Sequence, residues 1–74
     1  MVRNSSQLLV RFGGQVRELR QAAGLSQEAF ADRCGLDRTY ISGIERGKRN
    51  VSLENLEVLA KALNVTLSRL LEEP

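Results

Sequence analysis

The sequence predicts an all-α fold, a compact domain of five short helices that spans residues 1–74. Three observations support this prediction. Apolar residues recur at spacings of three and four along most of the chain, as they do on one face of a helix. At three places in the chain, a helix-capping residue follows one apolar residue and precedes another, as at the start of a helix. No stretch alternates apolar and polar residues for long enough to predict a strand.

Helix 1 is predicted over about residues 7–23. Its apolar residues share one face and are Leu9, Phe12, Val16, Leu19 and Ala23. Gly13 and Gly14 lie inside this span, where glycine lowers helix propensity, and we interpret them as a tolerated cost. Gly24 is predicted to end the helix, because glycine readily adopts the left-handed conformation found after helix C-termini.

Helices 2, 3 and 4 begin with one shared signature, an N-cap residue that follows one apolar residue and lies four positions before another. The three sets are Leu25 with Ser26 and Phe30, Leu36 with Asp37 and Ile41, and Val51 with Ser52 and Leu56. They predict helices at about residues 27–34, 38–46 and 53–63. Gly35 and Gly47 are predicted to end helices 2 and 3.

Helix 4 carries a stripe of apolar residues and is followed by a shorter helix. The stripe consists of Leu56, Leu59, Ala60 and Leu63. Asn64 is a predicted C-cap, and Thr66 is the predicted N-cap of helix 5 at about residues 67–72.

The connection between helices 2 and 3 is only three residues long, from Gly35 to Asp37. A turn this short makes two short helices cross steeply, which is the helix-turn-helix geometry. Small Ala31 is expected where the two helices approach most closely. Ile41 and Ile44 are expected to face the core and hold helix 3 in place.

The opposite face of helix 3 carries short polar side chains and arginines. Its members are Arg38, Thr39, Ser42, Gly43 and Arg46. Such a face can enter a DNA major groove about 12 Å wide and reach the base edges. The alternative is an ordinary solvated face, but that usually carries Lys, Glu and Gln in pairing patterns. The short side chains of Thr39 and Ser42 favour DNA reading.

Charge is distributed unevenly, although the net charge is only +2. Four basic residues lie between positions 38 and 49, namely Arg38, Arg46, Lys48 and Arg49. Arg38 can bind guanine O6 and N7 with both guanidinium arms, and the other three can neutralise phosphates. Glu45, the one acid in this segment, is interpreted as an internal ion-pair partner, because phosphate repels a carboxylate.

The residue types present exclude several classes of function. The chain has no histidine and one cysteine, Cys34, so neither an intrachain disulfide nor a zinc site of the usual kind can form. There is no nucleophile–base pair and no glycine-rich phosphate loop, so we expect no enzyme, no cofactor and no small-molecule ligand. No apolar run approaches the roughly 20 residues of a membrane helix. We expect a cytoplasmic protein in which Cys34 fills the core.

The residues that form the turn and helix 3 also carry a family resemblance. The segment LSQEAFADRCGLDRTYISGIERGKRNVS resembles the lambda-repressor/Cro-type (Xre) helix-turn-helix regulators. The resemblance continues through LENLEVLAKALNVTLSRLLE. The string DRTYISGIERGKRN is especially similar to the controller proteins of restriction–modification systems. This resemblance implies a lambda-repressor-like DNA-binding domain and a regulator of transcription.

The resemblance also implies roles for individual residues. Gln27 would contact a phosphate and brace the base-reading residues. Arg38 and Thr39 would read bases, while Tyr40 would sense DNA shape between half-sites or simply pack beside the turn. Phosphates or nearby bases would be contacted by Ser42, Arg46, Arg49 and Asn50. The Gly47–Lys48 pair departs from some controller proteins, which leaves the contacts of this loop open.

A single helix-turn-helix offers few base contacts, so such domains usually bind DNA in pairs. The apolar residues near the C-terminus that we assign to a two-fold interface are Val65, Leu67, Leu70 and Leu71. The alternative is that they close the monomer core. The expected partners are a double-stranded DNA operator, a second copy of the chain and, as a candidate, RNA polymerase.

These observations predict a homodimeric transcription regulator, and the resemblance implies an autoregulatory controller of a restriction–modification system. A phage-type repressor or an antitoxin-like regulator would fit the same features. A helical protein-interaction module is the alternative from another class, and it predicts no salt-dependent binding to duplex DNA.

Overall fold

The computed structural model describes residues 5–72 of the chain. Its helices are α1 (Ser5–Ala22), α2 (Gln27–Cys34), α3 (Arg38–Glu45), α4 (Leu53–Leu63) and α5 (Leu67–Leu70). This part of the chain contains no strand. The predicted all-α fold of five helices is therefore confirmed. None of these helices is at once long enough and apolar enough to cross a bilayer.

Four helices begin where their capping residues predict. The hydroxyls of Ser26, Ser52 and Thr66 accept hydrogen bonds from backbone amides three residues further along, at 3.0, 3.1 and 3.0 Å. The Asp37 carboxylate accepts from the amide of Thr39 at 3.1 Å. Each bond satisfies an N–H group that has no partner within the helix, which is why these boundaries can be read from the sequence.

α2 and α4 also end where predicted, at Cys34 and Leu63, and the remaining helix boundaries differ from the predictions by one or two residues. α1 begins at Ser5 rather than at residue 7, and it ends at Ala22 rather than at residue 23. α3 ends at Glu45, because Gly47 adopts a left-handed conformation with φ of 74° and turns the chain away. α5 ends at Leu70 rather than at residue 72, in a turn closed by backbone hydrogen bonds.

The core lies between α1 and the four shorter helices. Its almost fully buried large side chains are Val16, Phe30, Ile41, Ile44, Leu59 and Leu70. Two predictions are corrected here. Ala23 is exposed, because it lies beyond the end of α1 and no longer continues the buried face. Leu70 was assigned to a dimer interface, but its side chain is 0% exposed and closes the monomer core.

Gly13 allows α1 to cross the end of α3 at very short range. A Cβ atom at this position would collide with the carbonyl oxygen of Ile44 and would lie 2.8 Å from that of Glu45. The obstacle is backbone rather than a movable side chain, so only glycine fits without a shift of a helix. The interpretation of Gly13 as a tolerated cost was therefore wrong, since the close crossing requires it.

Candidate nucleic-acid interface

The turn between α2 and α3 sets the orientation of α3. Gly35 adopts a left-handed conformation with φ of 69°, and the amide of Leu36 donates to the carbonyl of Ala31 at 3.0 Å. Ala31 is buried, as expected for a residue at the closest approach of two helices. Ile41 and Ile44 are buried in the core. α3 is thus held by its inner face, and its opposite face is left toward solvent.

The predicted base-reading residues do not all lie on that outer face. Arg38 and Thr39 are exposed, and Ser42 is half-buried. Gly43, however, is buried beneath the side chain of Arg49, and a Cβ there would lie 2.8 Å from the Arg49 Cγ. The assignment of Gly43 to base reading is corrected, because its backbone is covered and its missing side chain makes room for Arg49.

Arg38 is joined to the first residue of α2. Its Nη1 donates to the side-chain oxygen Oε1 of Gln27 at 3.3 Å, across the N-termini of the two helices. The Nε2 of Gln27 donates to Oε1 of Glu45 at 3.0 Å. Gln27 therefore connects an exposed arginine to a buried carboxylate, which agrees with the bracing role that the family resemblance implies for it.

Glu45 forms an internal ion pair, as the sequence analysis expected. Its partner is Arg20 of α1, with Nε to Oε2 at 2.6 Å and Nη2 to Oε1 at 3.0 Å. Both residues are buried. Arg20 was not predicted as a partner from the sequence. The signal for it was its position four residues after Val16, which places a charged residue at the edge of the buried face of α1.

Thr39 is tied to the N-cap of its own helix. Its hydroxyl donates to Oδ1 of Asp37 at 3.0 Å, and its backbone amide donates to the same oxygen. These two hydrogen bonds stabilise the ionised carboxylate and lower the pKa of Asp37 below its ordinary value. The side chain of Thr39 is thereby held in one orientation on the exposed face of α3.

Tyr40 serves as a platform for Arg49. The Arg49 Cζ lies 5.2 Å from the centroid of the Tyr40 ring, within the range of a cation–π contact. The hydroxyl of Tyr40 accepts from Nδ2 of Asn55 at 3.2 Å and donates to the carbonyl of Asn50 at 3.4 Å. Tyr40 therefore connects α3 to the following loop and to α4, and it also orients a basic side chain. Asn55, on α4, is a supporting residue that the sequence analysis missed.

A basic surface results around α3. Its members, called here the α3 surface, are Arg38, Thr39, Arg46, Lys48, Arg49 and Asn50, all of them exposed. Gln27 and Tyr40 lie half-buried and contact it through Arg38 and Arg49. The side chains are of the kinds that bind phosphate oxygens and base edges, and the neighbouring carboxylate of Glu45 is already paired.

A second surface lies at α4 and α5, where exposed apolar side chains stand beside the charged Glu54, Glu57 and Lys61. Leu53 is 79% exposed and Leu67 is 42% exposed, and together with Val65 they line an open groove between α4 and α5. We call Leu53, Val65 and Leu67 the α4–α5 surface. Leu71, 54% exposed, lines a neighbouring groove with Leu8. The predicted interface residues are thus divided between one buried and three accessible side chains.

Metal binding and thiol chemistry find no support in the described residues. Within residues 5–72, no three His, Cys, Asp or Glu side chains are grouped so as to hold a metal ion. Cys34 is half-buried against the core, and burial raises the pKa of its thiol to about 11. The thiol is therefore protonated at neutral pH, which is the unreactive form.

The chain is similar to known helix-turn-helix proteins in sequence and in structure. Residues 16–70 match the HTH_3 family, described as helix-turn-helix. The control protein C.MunI of Mycoplasma sp is 52% identical over 65 residues, which cover 86% of this chain and 88% of that protein. The control protein C.BamHI of Bacillus amyloliquefaciens is 53% identical over 62 residues, covering 82% and 76%. The crystal structure of the restriction-modification controller protein C.AhdI from Aeromonas hydrophila is similar with a TM-score of 0.82 and 56% identity, covering 84% of this chain and 94% of that one.

Proposed function

This chain belongs to the HTH_3 helix-turn-helix family and is a DNA-binding transcription regulator, and we propose that it binds a two-fold DNA operator as a homodimer. The observation that carries the proposal is the α3 surface, where Arg38 and Thr39 stand exposed at the start of a helix whose inner face is locked into the core. A helix presented in this way can enter the major groove with its N-terminal residues toward the bases.

Sequence reading is assigned to Arg38 and Thr39. The planar guanidinium of Arg38 matches the O6 and N7 acceptors of guanine, a contact worth about 1–3 kcal/mol of discrimination. The hydrogen bond from Arg38 to Gln27 restricts the orientations of the arginine side chain at the N-terminus of α3. Thr39 brings a methyl group and a hydroxyl oxygen to the neighbouring base.

Affinity without sequence information is assigned to the rest of the α3 surface. Arg46, Lys48 and Arg49 would neutralise phosphates and release counterions from DNA. The N-terminus of α2, where Gln27 lies, adds backbone N–H groups that favour an anion. Arg49 is already oriented by the Tyr40 ring, so less side-chain freedom is lost when it binds. Asn50 is assigned to a nearby backbone contact, and half-buried Ser42 to a base edge or a phosphate.

Dimerisation is assigned to the α4–α5 surface. Leu53 and Leu67 leave apolar area in water that a second copy would cover, and Leu71 is exposed in a separate groove beside Leu8. A two-fold axis through this surface would present one α3 from each protomer. Helix-turn-helix dimers bind half-sites about 34 Å apart, one turn of DNA, and we expect that spacing here.

The specific role that we propose is control of a restriction–modification system through an operator near the protein's own gene. The support is the identity of 52–53% with two control proteins over most of the chain. Dimerisation would make operator occupancy depend steeply on protein concentration, which suits an autoregulated switch. RNA polymerase is the partner through which occupancy would alter transcription.

Footprinting on the DNA upstream of the gene tests this proposal. We expect two protected half-sites whose centres are about 34 Å apart, and protection that weakens steeply with salt. A scrambled duplex of the same length is the control. A uniform, weak interaction with both duplexes would contradict the proposal, and absence of any duplex binding would favour a protein-interaction module. A phage operator serves as a third duplex, and protection of that duplex alone would favour the repressor alternative.

A further inference from the structure

We propose that Glu45, held by Arg20, is a positioning residue for base reading by Arg38 and acts through Gln27. The inference rests on the proposed function and identifies the residues that make base reading by Arg38 accurate. Neither Arg20 nor Glu45 reaches the exposed face of α3, because both are buried. Their effect on DNA must therefore pass through another side chain.

The carboxylate of Glu45 has little freedom to move. Arg20 binds both of its oxygens, at 2.6 and 3.0 Å. Arg20 is itself held, because its Nη1 donates to the carbonyl of Leu25 at 2.7 Å. α1, the loop before α2 and the last residue of α3 are thereby connected at a single guanidinium. The ion pair is a rigid base for whatever binds to it.

The charge of Glu45 determines the orientation of the Gln27 amide. An ionised carboxylate only accepts hydrogen bonds, so Gln27 must present its NH₂ group to Glu45 and does so at 3.0 Å. The amide oxygen then points the other way and accepts from Arg38 at 3.3 Å. In the flipped amide, oxygen would face the carboxylate and NH₂ would face the guanidinium, and both contacts would be repulsive.

Arg38 is the flexible end of this chain of contacts. It is exposed, and a long arginine side chain loses conformational freedom when it is fixed against a base. An acceptor in a single defined position reduces the number of orientations that Arg38 adopts before DNA arrives. Preorganisation of this kind favours the base pair that fits that orientation, so it raises discrimination more than it raises general affinity.

The test replaces the ion pair by apolar residues in the double variant Arg20→Met with Glu45→Leu. Removing both charges together avoids an unpaired buried charge, which is the change that would unfold the domain. The probes are the footprinted operator and a duplex altered at the base pair where Arg38→Ala loses discrimination. We expect the double variant to remain helical and to discriminate about 3- to 10-fold less well, the factor associated with ordering one long side chain.

The matched control is Arg69→Gln with Glu72→Gln, which removes an exposed ion pair of 2.9 Å and also leaves the net charge unchanged. It should retain full discrimination. In a background of Arg38→Ala, the double variant should cause no further loss at that base pair, because Arg38 is the residue through which it acts. A purely structural role would instead weaken binding to both duplexes equally and additively.

Gln27→Ala tests the inference independently, because it leaves the ion pair intact and removes the connection to Arg38. Loss of the phosphate contact of Gln27 would weaken binding to both duplexes alike, so the ratio of the two affinities is the readout. This variant should reproduce the loss of discrimination. A folded double variant, or Gln27→Ala, that discriminates as well as the unaltered protein would overturn the inference. Failure of the unaltered protein to discriminate between the two duplexes would instead refute the proposed function, and this inference with it.

Discussion

Gly13 of α1 lies against the backbone carbonyl of Ile44, so closely that no Cβ atom fits between the two helices. The contact joins the longest helix to the end of α3, next to the residue that forms the buried ion pair with Arg20. The position of α3 relative to the core thus depends on the absence of one methyl group.

Gly13→Ala is expected to lower the free energy of unfolding by about 1–3 kcal/mol, the usual cost of overpacking a site that cannot yield. The sign of this change in stability is informative, because replacing glycine by alanine inside a helix would otherwise stabilise the helix by about 1 kcal/mol. Urea unfolding followed by circular dichroism measures the change. Arg17→Ala, on the exposed side of the same helix, is the control and should stay within about 0.5 kcal/mol. A Gly13→Ala protein more stable than the unaltered one would show that the helices can separate at no cost.

Arg38→Ala is expected to remove discrimination at one base pair in each half-site, by about 1–3 kcal/mol. The reason is the loss of the bidentate contact to guanine. Competition binding against a set of single-base operator variants measures it. Unchanged relative affinities across that set would show that Arg38 does not read sequence.

Arg49→Ala provides the contrasting case. It should weaken binding to all duplexes alike and reduce the slope of log affinity against log salt by about 1, since one phosphate contact disappears. A titration at several salt concentrations measures both effects. Loss of discrimination at a single base pair would instead assign Arg49 to base reading.

Leu67→Lys is expected to leave the monomer folded and to prevent dimerisation, because the side chain is 42% exposed and a charge there cannot be covered by a second copy. Sedimentation at micromolar concentration measures the state of association. Gln21→Lys adds the same charge to an exposed position on α1 and should remain dimeric. Leu70→Ala should behave differently and cost about 2–5 kcal/mol of monomer stability, as expected for a buried leucine. A dimeric Leu67→Lys protein would place the interface elsewhere.

The stability of α3 is expected to fall in acid through Asp37. Its pKa is lowered in the folded chain, chiefly by the hydrogen bond from the backbone amide of Thr39. The stabilisation is therefore fully present above the ordinary pKa of 3.8 and is lost as the pH falls through the lower folded value. Asp37→Asn keeps a capping oxygen but does not titrate, so its melting temperature should depend less on pH between about 5 and 2. Parallel pH profiles for the two proteins would argue against this role.

Local chemistry determined how much of the fold could be predicted. Ser26, Asp37, Ser52 and Thr66 are caps whose partners lie two or three residues away, and all four helices begin where predicted. Gly13 and Leu70 were misjudged, because their roles depend on elements that are distant in the sequence. Gly13 meets the end of α3, and Leu70 is enclosed by helices that begin long before it.

The candidate site shows the same division. Arg38 and Thr39 could be predicted from helical spacing, because their exposure follows once the inward residues are known. The burial of Gly43 could not, since it depends on how the Arg49 side chain folds back over α3 from the following loop. Glu45 was predicted to pair internally, but its pairing with Arg20 and Gln27 could not be predicted, because contacts between residues 25 and 18 positions apart leave no periodic signal.

The hydrogen bond from the Thr39 hydroxyl to Asp37 restricts what the operator can contain. The hydroxyl of Thr39 has one proton, which it donates to the Asp37 carboxylate. Only the lone pairs of the hydroxyl oxygen remain to accept a hydrogen bond from a base. We expect Thr39 to accept from an exocyclic amino group, N6 of adenine or N4 of cytosine, and to be repelled by the keto oxygens of guanine and thymine. The base next to a guanine bound by Arg38 would then be an adenine or a cytosine. In this way the N-cap residue Asp37 would influence the base sequence of a half-site.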